Sequence, residues 1–400
     1  MTERIHEARV EALEGLDGAG KTTLMLPLTE ELESLGLRVE TAASPGKTLV
    51  GSLLRPNIGK IEPERKTILF TYEIKRAQRQ MSPFTDVVLW DRYLDTIRVS
   101  NTDNADEMLG EIAADITPPH DVFYLDITTD ESWRREGEAS SHPINRAWIE
   151  EKHRRYQDLI AREPSRFTVI DASQSKAAVF HQVRDILVAR LAPVIEHNRA
   201  VYTLLLNTPG VVRFLLDSPF EVKPGVFLPM FMNFKETWAM PMERKLLAQE
   251  LAARVGDEFT WVVGLESGGS YFASTVANLL GLPVSLIRKT DKGYGEGNFV
   301  VGEKPPKGAK IALVDDAYAT GQSAAKAVTW FRSEGCESNL FTIFSYSNNE
   351  EIKKRIGVDG TALTYFKGLR RLALERSLIT QNEAEELTRR VDIYRTTIFA

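Results

Sequence analysis

Three observations predict an α/β protein of two domains, each built on a parallel sheet. A chain of 400 residues, 43% hydrophobic and 26% charged, is long enough for two or three separate cores. Apolar, β-rich runs alternate with helix-period stretches along its length, the pattern of strand–helix units that build parallel sheets. Two phosphate-binding signatures of different kinds, GLDGAGKTT (15–23) and VDDAYATGQS (314–323), each lie between an apolar run and a helical stretch. Two nucleotide-handling sites are therefore expected.

Taken in order, the first half carries strands expected at 10–13, 37–43, 87–91, 122–127 and 167–172, enough for one doubly wound sheet. The helix after the first signature is led by Leu24, Leu28, Leu32 and Leu35, and Pro27 inside it predicts a kink. Next comes a helical connection over 176–210, expected to break at Pro193 and to end at Pro209-Gly210, which puts the boundary near 195 and the domains at 1–195 and 196–400. The second half has strands expected at 259–267, 282–289, 310–316 and 339–347, a second sheet.

Charge and composition narrow the partners. With 50 Lys and Arg against 56 Asp and Glu, the net charge of −6 disfavours a general affinity for nucleic acid. The sequence lacks an apolar run of about 18 residues for a membrane helix, and its first ten residues, MTERIHEARV, are polar and charged. A soluble, cytoplasmic protein acting on small molecules is the expectation. The lone Cys336 and the scattered histidines offer no metal-ligand spacing, so Cys336 reads as a packing residue and Mg²⁺ arriving with nucleotide is the only metal expected.

Gly15, Gly20, Lys21 and Thr22 satisfy G-x-x-x-x-G-K-[ST]. Glycines such as Gly18 let backbone N–H groups of the loop, from Gly15 through Asp17 to Thr23, close around the phosphates of ATP. The helix N-terminus adds positive potential, Lys21 reaches the transferred phosphoryl and the Thr22 hydroxyl can ligand Mg²⁺. Across most of residues 8–190 the chain resembles the thymidylate kinase family, in EGLDGAGKTT, SPG (44–46), KRAQ (75–78), DRYLD (91–95), FYLDI (123–127) and RRYQDL (154–159). The resemblance implies a P-loop nucleoside monophosphate kinase with Asp91 near metal and acceptor phosphate, Arg92 on that phosphate and Arg76 facing the base. The plain alternative for the DRY segment is a buried structural ion pair. Ala42 and Ala43 stand where the family has an Arg-containing turn, and TIRVSN follows DRYLD in place of the usual pocket stretch, so thymine selectivity is open. Arg134, Arg135 and Arg146 are either lid residues closing over ATP or a solvated charged face.

The second signature places Asp315 and Asp316 at a strand end, where paired carboxylates can receive two ribose hydroxyls and help hold Mg²⁺. Ala319, Thr320, Gly321, Gln322 and Ser323 then form a turn able to cradle a 5′-phosphate. An ordinary capped helix start is the alternative. Residues 205–350 resemble orotate phosphoribosyltransferases in three further segments: FEVKPGVFLPMFMN (220–233), GLESGGSYFAS (264–274) and IRKTDKGYGEGNFVVGE (287–303). What this implies is a type I phosphoribosyltransferase using phosphoribosyl pyrophosphate (PRPP), with Lys223 at the PRPP site, Arg288, Lys289 and Lys292 on the pyrophosphate, and a homodimer through this domain. Tyr294 replaces the family's loop His. Asn348 stands where an Arg would meet orotate's carboxylate, which points to a base other than orotate. The whole reads as a bifunctional pyrimidine nucleotide enzyme; the alternative is an active kinase carrying a non-catalytic, PRPP-binding regulatory domain.

Overall fold

The computed structural model describes residues 8–46, 51, 61–100, 105–139, 145–223, 226–288 and 299–399, without the side chains of 137–139, 222–223, 226 and 398–399. The chain separates into two compact units, one made of Ala8–Glu33 and Arg38–Ala192, the other of Ser34–Leu37 and the chain from Pro193 onward.

The first unit is a five-stranded sheet. Its strands are β1 (Arg9–Gly15), β2 (Val39–Ala43), β3 (Val87–Asp91), β4 (Asp121–Asp126) and β5 (Phe167–Asp171), in the order β2-β3-β1-β4-β5 and all parallel. Central β1 and β3 are buried nearly throughout, as near-continuous apolar runs in a covered parallel sheet must be. Helix α1 (Lys21–Ser34) follows β1, α2 (Pro63–Gln80) precedes β3, and α3 (Leu94–Ser100) and α4 (Ala105–Ile112) follow it. After β4 come α5 (Thr129–Ala139) and α6 (Arg146–Arg162). Leu24, Leu28 and Leu32 are the buried apolar stripe of α1, which contains Pro27. Register brings Leu13 opposite Asp91 and Gly15 opposite Leu125, so the first signature and the DRY segment share the carboxyl-end edge of the sheet, where open α/β folds bind ligands.

Helix α7 (Lys176–Asn207) does not stop at Pro193, contrary to expectation. A proline inside a helix costs about 3 kcal/mol, but buried Val183, Leu187, Leu191, Val194, Ile195 and Leu205 continue on both sides of it, and burying a side chain of this kind contributes about 1.5–3 kcal/mol. Packing outweighs the lost hydrogen bond.

In the second unit four short strands, β6 (Val212–Phe214), β7 (Phe220–Lys223), β8 (Val226–Leu228) and β9 (Met230–Met232), form two antiparallel pairs. After α8 (Pro241–Val255) the main sheet begins: β10 (Trp261–Leu265), α9 (Gly268–Leu280), β11 (Val284–Ile287), β12 (Val300–Val301), β13 (Lys310–Tyr318), α10 (Gln322–Ser333), β14 (Glu337–Ser345), α11 (Asn349–Ile356) and β15 (Gly360–Tyr365). Its order is β12-β11-β10-β13-β14-β15, parallel except for the β11–β12 pair. Helices α12 (Phe366–Glu375) and α13 (Gln381–Phe399) end the chain. The expected strand at 282–289 is shorter, and β6 to β9, β12 and β15 had no counterpart in the sequence reading. Most are two to four residues long, too short for a period of two to show. Cys336 is buried among apolar side chains of this sheet, its thiol donating to the Pro306 carbonyl 3.3 Å away, a packing role. Among the described residues no helix is long and apolar enough to cross a membrane.

Candidate active sites

In the first unit the chain turns from β1 into α1 through the loop at 15–20. Gly15 has φ +139°, and a Cβ there would lie 2.6 Å from the Leu125 carbonyl oxygen, so only glycine fits against β4. Lys21 is 3% exposed and folds back on its own loop, donating to the carbonyls of Gly15 (3.0 Å) and Leu16 (2.6 Å). Burial, reinforced by nearby Arg92 and Lys152 and opposed by Asp17, pushes its ammonium down to about 7. The Thr22 hydroxyl donates to Asp91 Oδ2, while Asp91 Oδ1 is buried and has no hydrogen-bond partner among the described residues. Hydroxyl and spare carboxylate oxygen are a donor set suited to a hard cation that takes its other ligands from phosphate and water. Groups of three or more acidic, His or Cys side chains that could hold a resident metal are absent among the described residues.

Arg92 adopts φ +67°, unusual for a residue with a side chain, its N–H donating to the Leu13 carbonyl at 3.0 Å. That turn lays its guanidinium on the Asp17 carboxylate. Burial alone would raise Asp17, but Lys152, Arg92 and Lys21 together hold it well below the usual carboxylate range. Buried Glu14 anchors the segment: it accepts from the N–H groups of Tyr93 (2.8 Å) and Thr96 (3.0 Å), the Thr96 hydroxyl (2.5 Å) and the Tyr156 hydroxyl (2.8 Å). Within DRY the ion pair formed is that of Arg92 with Asp17; beyond it Asp95 is buried against Arg98 (3.2 Å) and Arg166 (3.0 Å), leaving Asp91 for the loop.

The structure thus gathers Gly15, Asp17, Gly18, Lys21, Thr22, Asp91 and Arg92, with Gly20 and Thr23 in the same turn. Arg76 is on α2 and makes no ion pair among the described residues. The three lid candidates separate: Arg135 donates to the Gly18 carbonyl (3.1 Å), whereas Arg134 pairs with Glu131 and Arg146 with Asp130 and Glu150 on the solvent side. Two residues were missed. The Ser132 hydroxyl holds the Asp17 carbonyl at 2.7 Å, and Lys152 reaches the Asp17 carboxylate at 3.3 Å. Lys152 had a legible signal, since with Ile149, Tyr156 and Leu159 it completes the buried stripe of α6, where a charge is out of place.

In the second unit β13 ends in Asp315 and Asp316, with Asp315 opposite Thr342 of β14. Each carboxylate accepts from the next backbone N–H, Asp316 N to Asp315 Oδ1 at 2.9 Å and Ala317 N to Asp316 Oδ1 at 2.8 Å. A cleft of about 330 Å³ opens here, lined by Asp315, Asp316, all of Ala319 to Ser323, the loop Glu266 to Gly268, and Phe231 to Lys235. The predicted phosphate turn and the glycine-rich loop therefore meet in one place. Gly268 is the point of closest approach: a Cβ on it would lie 1.8 Å from Asp316 Oδ2. Lys235 is an unforeseen cation at the cleft.

Arg288 follows β11, its N–H bonded to the Phe299 carbonyl at 3.1 Å. Lys289, Lys292 and Tyr294 lie outside the described residues, as does the side chain of Lys223. Asn348 does not line the cleft. It caps α11, its side chain accepting from Glu351 N (3.0 Å) while the Glu351 carboxylate accepts from Asn348 N (3.0 Å), which is a local folding task.

Comparison with known proteins follows this division. A family model for thymidylate kinase matches residues 13–183, and one for the phosphoribosyl transferase domain matches 239–362. Two different family models therefore match the two halves of the chain. Its N-terminal half resembles thymidylate kinase and its C-terminal half orotate phosphoribosyltransferase, on an α/β fold with a parallel sheet in the N-terminal half and a separate phosphoribosyltransferase-type domain. Similar relatives are the orotate phosphoribosyltransferases of Bacillus mycoides and Bacillus cereus, each 29% identical over 184 residues, covering 44% of this chain and 87% of theirs. The crystal structure of orotate phosphoribosyltransferase from Aeropyrum pernix matches with 23% identity and a TM-score of 0.35, over 47% of this chain and 97% of that one.

Proposed function

We propose that the N-terminal domain is an ATP-dependent kinase for a nucleoside monophosphate such as dTMP, and that the C-terminal domain transfers phosphoribosyl from PRPP to a pyrimidine base, orotate or a relative. The observation that carries this reading is the same in both domains: a phosphate-binding turn and a strand-end carboxylate meet at the carboxyl edge of a parallel sheet, within a region matched by the corresponding family.

In the kinase, loop N–H groups receive the ATP phosphates, and Lys21 exchanges its two carbonyl partners for oxygens of the transferred phosphoryl. Those oxygens restore the full positive charge that burial weakens in Lys21. Arg92 turns its fork from Asp17 to the acceptor phosphate. An acceptor oxygen then attacks the γ-phosphorus, the bond to the β,γ-bridging oxygen breaks, and ADP leaves. Bound Mg²⁺, held by Thr22 and Asp91, supplies neutralisation of phosphate charge.

In the transferase, Asp315 and Asp316 accept hydrogen bonds from the ribose hydroxyls while the turn from Ala319 to Ser323 holds the 5′-phosphate. A base nitrogen attacks the anomeric carbon, the bond to pyrophosphate breaks, and Arg288, Lys289 and Lys292 meet the leaving group, with Lys223 also serving PRPP. A homodimer through this domain goes with the reading.

Two assays test it. Protein, Mg²⁺ and PRPP are incubated with a panel of pyrimidine bases and pyrophosphate is measured; base-independent silence with PRPP still bound would leave a regulatory domain instead. ATP with a panel of monophosphates, read as ADP release, tests the kinase in the same way.

A further inference from the structure

Asp17 carries two cations at once, Arg92 and Lys152. The α6 lysine is 5% exposed, and Asp17 is the one carboxylate it pairs with among the described residues. A methionine or leucine would pack equally well beside Ile149, Tyr156 and Leu159, so packing leaves the charge unexplained. Burying an ammonium is costly unless it is used.

The acceptor side of the site poses a problem that this charge solves. If Arg92 serves the acceptor phosphate, it must loosen its hold on Asp17, leaving a carboxylate facing an incoming dianion. We propose that Lys152 is a positioning residue of the kinase site, keeping Asp17 compensated so that Arg92 is released to the acceptor phosphate. The inference rests on the kinase reading above. Lys21 cannot substitute, being held by the Gly15 and Leu16 carbonyls in the free site and assigned to the transferred phosphoryl in the reaction, and Arg135 is spent on Glu131 and the Gly18 carbonyl. Glu136 adds negative charge in the neighbourhood, which increases the need for a second cation. The partner of Lys152 is Asp17, which also holds Arg92, so its effect is expected to fall on acceptor binding through Arg92.

The test uses the full chain, ATP, and the monophosphate that the wild type phosphorylates best, with ADP release as readout. Lys152→Met is expected to raise the acceptor KM by about 10- to 100-fold, the loss of one charge-assisted contact, with the ATP KM within about twofold of wild type. Lys152→Arg should restore most of the affinity. In an Asp17→Asn background, where there is no charge to compensate, Lys152→Met should add nothing further. An unchanged acceptor KM in a folded Lys152→Met protein would overturn the inference. So would equal increases in both KM values with no rescue by arginine, which would mark a structural lysine. Should Lys152→Met fail to fold, a Lys152→Arg protein with wild-type kinetics and an unaltered effect of Asp17→Asn decides for the inference, and one with a poor ATP KM decides against it. A wild type that phosphorylates no monophosphate would remove the kinase reading itself, and this inference with it.

Discussion

Replacing Gly268 with alanine adds one methyl group against Asp316 in the cleft of the second unit. Its Cβ would lie 1.8 Å from Asp316 Oδ2 and 2.2 Å from its Cγ, whereas non-bonded heavy atoms settle at roughly 3.5 Å. Either the carboxylate retreats by roughly 1.5 Å or the first turn of α9 is pushed off β13, and overpacking of this kind costs about 1–3 kcal/mol of stability. The neighbouring Gly269 shows how closely α9 sits on β13, since a Cβ on it would lie 2.3 Å from the Val314 carbonyl oxygen, and the second escape would open that packing. Misplacing a substrate-holding group by about 1 Å can reduce rate by about 10²-fold, so kcat/KM for PRPP should fall by about that factor. Pyrophosphate release measures it, and ADP release from the same preparation serves as an internal control for folding. A Gly268→Ala protein whose PRPP kcat/KM stays within about threefold of wild type would refute the assignment of Asp316 to the ribose.

Separate sites predict separable losses. Lys21→Ala should lower ADP release by about 10²-fold or more while leaving pyrophosphate release intact, and Asp316→Asn should do the reverse; either change stopping both reactions in folded protein would argue against independent sites. Asn348→Ala removes the capping box of α11 and should cost about 0.5–2 kcal/mol by chemical denaturation without altering the ranking of bases, whereas a changed ranking would return Asn348 to the base pocket. Glu11, buried in β1 with Oε2 lacking a hydrogen-bond partner among the described residues, is pushed up to about 7, chiefly by burial, against the pull of Arg9 and with the push of Asp121. Because its folded value is raised above 4.5, its contribution to stability is complete below that pH and is lost as pH rises through about 7. Glu11→Gln should therefore stabilise the protein more at pH 8 than at pH 5, and equal effects at both would refute this.

Much of both sites was legible because their backbones obey strict local rules. A loop whose N–H groups must converge on phosphate needs glycines at set spacing, and Lys21 and Thr22 follow from where the helix starts. Asp315 and Asp316 were equally readable, as charges ending an apolar run. Lys152 was not, although a charge within the stripe of α6 was a signal. What Asn348 does was open in the sequence, because a polar residue after a strand can face a ligand or cap the next helix, and the reciprocal bonds with Glu351 show the cap. The uninterrupted α7 at Pro193 was hidden as well, since local propensity argues for a break and burial on both sides decides otherwise.

By itself, then, the sequence determined the division into two α/β domains and the two turns that follow β1 and the carboxylates of β13, all properties of short contiguous segments. Tertiary structure alone decided which distant charges meet: Lys152 with Asp17 across 135 positions, Asp95 rather than Asp91 with Arg166, and Gly268 against Asp316. The physical reason is register. Parallel strands are joined through helices of variable length, so the residues that face each other at the sheet's edge are chosen by strand pairing and helix packing, and no local spacing records that choice.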